Sequence, residues 1–266
     1  FLTAAACATI AASVGAICAH ASALDDSANT AVAPHVSDVV GGQKAPLTPW
    51  IVQLTAGGGR IPAGSVEHCT GVQVNAFYVL TARHCTEEVG GINVYQSNST
   101  LHRGNPIHGL RPLPAPRGDI ALVPLATASP LPSYAPLNLI SRPAHSGRGT
   151  LYGFGLRGSG KQAQGLYTAT VALSGRAEDL ASGLGQHVTG ITGASNQGDS
   201  GGPLVVRGRV TGLCSKGDEA DPGTRKNAGS TFSVLSQAAD WIRSSVDSST
   251  VPAESATTSP ATPSLK

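Results

Sequence analysis

Apolar residues in the middle of the chain occur in short runs that are separated by turn-forming residues. These runs predict β-strands at residues 50–54, 72–80, 120–125, 149–155, 167–173 and 203–213. Clusters of Gly, Pro, Ser or Asn bound the runs, which is typical of antiparallel barrels or sandwiches. Only residues 234–246 have helical periodicity, with one apolar face made by Leu235, Ala238, Ala239 and Ile242 and with Trp241 beside it.

The two ends of the chain differ from this middle part. Residues 1–23 are apolar, end in Ala-Ser-Ala and predict a secretory signal peptide with a truncated start, because the usual basic residues are missing. A buried helix or a membrane anchor is the alternative for this segment. Residues 24–38 are small and polar, as expected of a pro-segment, and residues 248–266 predict a disordered Ser/Thr/Pro-rich tail. The interpretation leaves a single folded part at residues 39–247.

Composition supports many turns and excludes some classes of function. The chain has 33 Gly and 18 Pro residues, which suit short strands better than long helices. Charged residues are only 13% of the chain and the net charge is +2 without a basic run, so nothing favours a nucleic-acid partner. No CxxC spacing and no Cys/His cluster indicates a metal, and we expect neither a metal nor another cofactor.

Three segments contain the residue types that acyl transfer needs, namely a nucleophile, a base and donors for an oxyanion. The first segment ends a predicted strand and contains His84. The second places Asp119 before an apolar run, where a carboxylate can be buried behind an imidazole. The third, Gln-Gly-Asp-Ser-Gly-Gly-Pro at residues 197–203, surrounds Ser200 with glycines, which permit a tight turn that aims backbone N–H groups at one point.

In these segments the sequence resembles the trypsin/chymotrypsin family of serine proteases. The resemblance covers residues 39–246 and rests on Thr-Ala-Arg-His-Cys at 81–85, Asp-Ile-Ala-Leu at 119–122 and Gly-Asp-Ser-Gly-Gly-Pro at 198–203, in that order. It implies an all-β fold of two six-stranded antiparallel Greek-key β-barrels with a C-terminal α-helix. It also implies a serine endopeptidase that acts on polypeptide substrates, and the predicted signal peptide implies that it is secreted to the extracellular space.

The resemblance assigns roles to individual residues. It implies a catalytic triad of His84, Asp119 and Ser200, an oxyanion hole made by the N–H groups of Gly198 and Ser200, and a disulfide between Cys69 and Cys85. In the family, cleavage frees an amine that pairs with the carboxylate before the catalytic Ser, and here those groups belong to Val39 and Asp199. Because Asp38 rather than Arg or Lys precedes Val39, we expect a zymogen that a different protease activates or that is trimmed from its N-terminus.

The same alignment predicts an uncharged primary specificity pocket. Ala194 lies at its floor, and the Ser195 hydroxyl and the walls at Gly217 and Ser230 complete it. Such a pocket does not favour Arg or Lys, because an unpaired buried charge is costly. Cys214 falls in the wall segment without an evident partner, as a free thiol near the pocket.

Other functions compete with this interpretation. One alternative is a catalytically silent binding module with the protease fold, and another is an esterase that uses the same triad. Arg-Gly-Asp at 117–119 spells an adhesion tripeptide, and Asn-Ser-Thr at 98–100 spells a glycosylation sequon. We expect a monomer that is not stably inserted in a membrane after processing.

Overall fold

The computed structural model describes residues 39–158 and 160–247. The chain divides into two units, residues 1–35 and 36–266, and the fold described below belongs to the second. The predicted signal peptide, pro-segment and C-terminal tail lie outside the described residues and stay predictions.

Strand β1 (Gln43–Lys44) opens the described part of the chain, and the next seven strands form the first sheet. They are β2 (Ile51–Gly57), β3 (Glu67–Gln73), β4 (Tyr78–Thr81), β5 (Gly91–Tyr95), β6 (Ile107–Gly109), β7 (Leu113–Pro114) and β8 (Ala121–Pro124). Their spatial order is β6-β5-β2-β3-β4-β8-β7, with antiparallel pairs throughout. An isolated bridge joins Gly109, in β6 at one end of this order, to Leu125, the residue after β8, and the sheet as a whole forms a half-barrel.

The second sheet is a closed barrel of six strands. These are β9 (Arg148–Gly153), β10 (Tyr167–Glu178), β11 (Leu184–Gly190), β12 (Pro203–Val206), β13 (Arg209–Gly217) and β14 (Gly229–Val234). Their order is β10-β11-β14-β13-β12-β9, and β9 pairs back onto β10, while β1 pairs with β10 outside the cylinder. The predicted all-β, chymotrypsin-like fold with a C-terminal helix is therefore confirmed.

Residues 203–213 form two strands rather than the single run that the sequence predicts. Val206 pairs with Arg209, and the two residues between them, Arg207 and Gly208, have φ values of 51° and 74°. Two positive φ angles in a two-residue connection are typical of a type I′ hairpin, whose twist matches that of the flanking strands. The sequence pattern did not reveal the turn, because apolar residues lie before it at 204–206 and after it at Val210.

The C-terminal helix is shorter than the sequence predicts. Val234 is the last residue of β14, where it pairs with Gly212, and Leu235–Ala238 forms a 3₁₀ turn before α1 (Ala239–Asp247) begins. Barrel hydrogen bonds at Val234 therefore override its place in the helical pattern. Within the described residues, no helix has the length and apolar character needed to cross a membrane.

One apolar cluster joins the two sheets and the C-terminal segment. It contains Tyr78 and Leu80 from the first sheet, Leu213 from the second, and Leu235 and Ile242 from the C-terminal segment, all of them buried. Each fully buried side chain of this size contributes about 1.5–3 kcal/mol to folding. The cluster therefore fixes the first sheet against the second, which matters because residues from both sheets contribute to the site described next.

Candidate active site

His84 and Asp119 are held together by two hydrogen bonds. His84 lies in a 3₁₀ turn (Arg83–Cys85) just after β4, and Asp119 lies just before β8, which pairs with β4. The backbone N–H of His84 donates to Oδ1 of Asp119 at 2.9 Å, and Nδ1 of the His84 ring lies 2.8 Å from Oδ2. Because an ionised carboxylate only accepts, Nδ1 carries the proton and Nε2 is left as a lone-pair acceptor.

Asp119 is buried but stays ionised. Its side chain is 2% exposed, and Oδ2 also accepts a hydrogen bond from the Ser215 hydroxyl at 2.6 Å. Burial alone would raise its pKa, but the hydrogen bonds and charge of His84 and the hydrogen bond of Ser215 outweigh burial, so the pKa of Asp119 lies below its usual value. The carboxylate can therefore stabilise a cationic imidazole.

A second buried carboxylate, Asp179, lies behind Asp119. Its Oδ2 accepts from the Asp119 backbone N–H at 3.1 Å, from the Ser233 hydroxyl at 2.6 Å and from the Gln237 amide at 3.2 Å. Its Oδ1 accepts from two backbone N–H groups of its own turn, at Ala181 and Gly183. The sequence motifs do not identify this residue. The bond that its Oδ1 accepts from the Ala181 N–H is that of an Asx turn, but no neighbour in the sequence indicates the contact with Asp119, which comes from the fold.

The turn that contains Ser200 is fixed to both sheets through its backbone. The Ser200 carbonyl accepts from the Thr70 N–H of β3 at 2.8 Å, and the Gly201 N–H donates to the Cys214 carbonyl of β13 at 2.8 Å. A Cβ on Gly201, where φ is +79°, would overlap the Thr81 hydroxyl and the Thr70 carbonyl and approach the Ala82 nitrogen to 2.8 Å. Ser200 is therefore adjacent to the segment that leads into His84.

The structure brings the Ser200 turn to the His84–Asp119 pair without a hydrogen bond between the two side chains. Among the described residues, the Ser200 hydroxyl makes no hydrogen bond to the His84 ring. In ligand-free structures such catalytic hydrogen bonds are often long or poorly aligned and tighten when substrate binds. The Ser200 turn is held near this pair by its backbone hydrogen bond to Thr70 and by the close approach of Gly201 to Thr81 and Ala82.

The N–H groups of Gly198 and Ser200 are free to bind a ligand. Neither donates a hydrogen bond to any group within the described residues. Gly198 has a φ of +94°, and a Cβ there would come within 2.9 Å of the Gly155 Cα, so only glycine fits this turn. Two unpaired amides beside a hydroxyl can hold a developing negative charge.

The four residues predicted to form the specificity pocket are brought together. Ala194 is 1% exposed, and the next residue, Ser195, has its Oγ 2.6 Å from the Oγ of Ser230. Gly217 pairs with Ser230 across β13 and β14, which settles the register of this wall. The two buried hydroxyls are hydrogen-bonded to each other, and none of the four residues is charged.

Asp199 is buried next to the Ser200 turn and has no cation bonded to it among the described residues. Its two oxygens accept from the backbone N–H groups of Gly155 and Asn196, each at 2.8 Å. Burial raises the pKa of Asp199 to about 7, although these two hydrogen bonds oppose the shift.

The Val39 segment lies beside the same region. The Val40 carbonyl accepts from the Ala194 N–H at 3.0 Å, and Val39 is fully buried in the core of the second barrel, where it packs in a cluster with Leu151 and Cys214. Its φ of 49° lies in the left-handed region, which is strained for a β-branched residue. Val39 is thus buried, but it occupies this place in a strained backbone conformation.

The cysteines behave as two different classes. Cys69 and Cys85 form a disulfide that ties β3 to the turn of His84, which confirms the predicted pair. Cys214 is free and buried, and burial together with the nearby Asp199 raises the pKa of its thiol to about 12. Its thiol is therefore unreactive in the folded chain.

The structure argues against an adhesion role for the Arg-Gly-Asp sequence and against a glycan on the Asn-Ser-Thr sequon. Asp119 of the Arg-Gly-Asp sequence is 1% exposed and bonded to His84, so it cannot contact an adhesion receptor. Asn98 of the sequon donates its side-chain amide to the Ile51 carbonyl at 3.1 Å and accepts from the Thr48 N–H at 2.8 Å. A glycan on that amide would disrupt the contact with β2.

The sequence profile of the family described as Trypsin matches residues 39–242. The chain belongs to the trypsin family. Human Serine protease 56 is similar to the present chain, with 31% identity over 249 residues. That alignment covers 79% of this chain and 39% of the human protein, so the chain spans about two fifths of the length of this relative.

A solved structure of neuropsin, a serine protease expressed in the limbic system of mouse brain, has the same fold. It matches with a TM-score of 0.61 and covers 77% of this chain and 99% of its own, at 22% sequence identity. At that level of identity the likeness establishes the fold.

Proposed function

We propose that the chain is a secreted serine endopeptidase that cleaves peptide bonds through an acyl-enzyme on Ser200. The observation that supports this most is the ionised Asp119 bonded twice to His84, with Nε2 left free, next to a backbone-fixed Ser200 turn. A nucleophile, a base and the group that orients the base are the parts that this chemistry needs.

The reaction begins with attack of the Ser200 Oγ on the scissile carbonyl carbon, while its proton passes to Nε2 of His84. The carbonyl oxygen becomes an oxyanion that the N–H groups of Gly198 and Ser200 hold, and Asp119 stabilises the imidazolium. His84 then gives the proton to the leaving amine as the C–N bond breaks. A water molecule, deprotonated by His84, attacks the acyl-enzyme and releases the second product.

The primary pocket favours small or apolar side chains. Ala194 at its floor carries no charge, and the hydroxyls of Ser195 and Ser230 are already paired with each other. A substrate Arg or Lys would bury its charge there without a partner, at a cost of several kcal/mol. A panel of peptides that differ only before the cleaved bond tests this, and a strong preference for Arg or Lys would refute it.

The chain is made as a zymogen that is activated by hydrolysis of the Asp38–Val39 bond. That cleavage removes the carbonyl that constrains φ of Val39 and therefore releases the strain of its left-handed conformation. The new amine can then pair with Asp199, which is buried and has no cation bonded to it among the residues that the structure describes. Because Asp38 precedes the bond, a protease of different specificity is needed. Sequencing the N-terminus of the active form tests the site, and an active form that begins at Leu24 would contradict it.

Covalent labelling distinguishes the enzyme from a silent binding module. A fluorophosphonate should label Ser200 in the chain that begins at Val39, and Ser200→Ala should abolish both labelling and turnover. An intact, folded chain that takes up no label would favour the binding module.

Turnover separates an endopeptidase from an esterase. The chain beginning at Val39 should cut internal bonds of an unfolded protein substrate, with products identified by mass spectrometry. Hydrolysis of simple esters together with no peptide cleavage would favour the esterase.

A further inference from the structure

Two neighbouring clefts in the second unit have arginines along their walls. The first cleft, of about 1200 Å³, lies between the segment before Asp119, the turn after β10 and the start of the C-terminal segment. The second, of about 540 Å³, lies beside β9 and the hairpin between β12 and β13. Both are lined in part by the linker between the two sheets, and Arg142 of that linker belongs to both. The clefts therefore form one continuous surface, named here the arginine clefts.

Six exposed arginines line the arginine clefts: Arg117, Arg142, Arg148, Arg176, Arg207 and Arg209. Among the described residues, none of the six forms an ion pair, whereas Arg60, Arg83 and Arg243 each contact a carboxylate. Of the described residues that line the two clefts, Glu178 alone carries a carboxylate. One third of the 18 basic residues of a chain with net charge +2 is therefore gathered on this surface.

Such a surface attracts anions. Like charges that are close together repel one another, and a bound anionic partner relieves that repulsion, while the walls of a cleft concentrate the field. The planar guanidinium group of arginine can donate two parallel hydrogen bonds to one carboxylate. A bound carboxylate is therefore favoured over loosely associated counter-ions from the solvent. The surface therefore has the charge and the donors to bind several carboxylates at once.

Apolar side chains in the same surface favour a polypeptide partner. Ile140 lines the first cleft and is 81% exposed, and Leu139 and Leu184 lie beside it in the lining. In the second cleft, Val206 lies next to Arg207. A sulfated polysaccharide has no apolar side chain to place on Ile140, whereas an acidic peptide with interspersed apolar residues can use both features.

We propose that the arginine clefts are a docking surface for an acidic, partly apolar polypeptide segment of a partner protein. The segment places its carboxylates against the arginines and an apolar side chain against Ile140. This binding is separate from the chemistry at Ser200, so it survives when the nucleophile is removed.

The test uses the chain of residues 39–247 with Ser200→Ala and a fluorescein-labelled short peptide that alternates Glu with Leu or Phe. Fluorescence anisotropy should show saturable binding that weakens steeply as salt is added, because the contact is largely ionic. A peptide with Gln in place of every Glu should not bind. Failure of the acidic peptide to bind at low salt would overturn the proposal.

Matched variants locate the contact. Two triple variants should each weaken peptide binding by about ten-fold or more. One variant combines Arg117→Gln, Arg142→Gln and Arg176→Gln, and the other combines Arg148→Gln, Arg207→Gln and Arg209→Gln. A control variant removes the same number of charges elsewhere and should have little effect on peptide binding. It combines Arg60→Gln, Arg83→Gln and Arg243→Gln. Equal losses in the control and cleft variants would show unspecific attraction and overturn the proposal, while thermal unfolding verifies that every variant is folded.

Ile140 separates the polypeptide from a polysaccharide. Ile140→Ser should weaken the acidic, apolar peptide by about three-fold to ten-fold, since it loses a buried apolar contact. If a sulfated oligosaccharide binds as tightly as the peptide and Ile140→Ser has no effect on peptide binding, the proposal is wrong. The partner would then be a polyanionic sugar. These outcomes do not depend on catalysis and stand apart from the test of Ser200.

Discussion

At the scale of single residues, Asp179 connects the folding of a turn to the placement of Asp119. Its carboxylate accepts five hydrogen bonds, one of them from the Asp119 backbone. No counter-cation is bonded to it among the described residues, so hydrogen-bond donors alone compensate its charge. Removing it would leave several buried donors without a partner, which is costly. Asp179 is therefore a positioning residue that acts through Asp119.

Asp179→Asn should lower kcat by about ten-fold and leave KM nearly unchanged, because it disturbs Asp119 without touching the pocket. The free energy of unfolding should fall by about 3 kcal/mol, since bonds to a buried charge are lost. Kinetics on a peptide substrate and urea unfolding measure the two effects. Asp240→Asn, on the exposed face of the helix, is the control. An unchanged kcat well below the unfolding temperature would make Asp179 purely structural.

A pair of glycines separates close packing from backbone strain. Gly201 and Gly208 have similar φ values, +79° and +74°, but a Cβ on Gly208 meets nothing within 4 Å. Gly208→Ala should therefore cost only about 1–2 kcal/mol, the price of the left-handed backbone. Gly201→Ala adds a clash with β3 and β4 and should abolish fluorophosphonate labelling. Equal stability and labelling of the two variants would contradict the close packing of the Ser200 turn.

The sequence identifies His84, Asp119 and Ser200 as candidates because their chain neighbours carry the signal, such as the glycines around Ser200. Ser215 and Asp179 have no such neighbours. They reach Asp119 across 96 and 60 residues, respectively, through the closure of the second barrel. Their contacts depend on strand register, which a single sequence specifies only weakly at this range.

At the scale of elements, the disulfide between Cys69 and Cys85 stabilises the half-barrel. It closes a loop of 16 residues between β3 and the turn of His84. In the chain-entropy account, losing it costs about 3 kcal/mol of unfolding free energy. Cys69→Ala with Cys85→Ala should show this loss in urea unfolding. A reducing agent should destabilise the parent chain by a similar amount and leave the double variant unaffected, and an unaffected parent would contradict the prediction.

The strands that the sequence predicts correctly are those with mostly apolar runs, such as β2 and β8. Strands β5, β11 and β14 were missed because polar and small residues interrupt them, as in Gly-Ile-Asn-Val-Tyr of β5. These strands have partners on both sides in the sheets, and that pairing overrides their weak local preference. Likewise, the pairing of Val234 with Gly212 moved the start of the helix to Ala239.

At the scale of the whole molecule, Asp199 should make stability depend on pH while residue 39 is still linked to residue 38. The folded state holds the Asp199 proton up to about pH 7, whereas an unfolded carboxyl of this kind releases it near pH 4. The folded state therefore binds more protons in this window, and its stability falls as pH rises through it. The loss is on the order of 4 kcal/mol, since each pKa unit corresponds to about 1.36 kcal/mol.

Urea unfolding of the chain that begins at Leu24, from about pH 4 to pH 8, measures this dependence. Asp199→Asn should remove it, because an amide does not titrate. The chain that begins at Val39 should also lose it, since the new amine keeps Asp199 ionised. The same slope in all three chains would refute both the buried acid and its pairing with Val39.

Burial of the Cys214 thiol provides the molecule with an internal reporter of opening. In the chain that begins at Val39, the other two cysteines are joined, so this sulfur is the alkylation target among the described residues. Iodoacetamide reacts with a thiolate that solvent can reach. In the folded barrel the Cys214 thiol is both protonated and buried, so it does not react. The rate of Cys214 alkylation under native conditions, followed by mass spectrometry, should therefore measure how often β13 separates from its neighbouring strands. The measurement needs no engineered label.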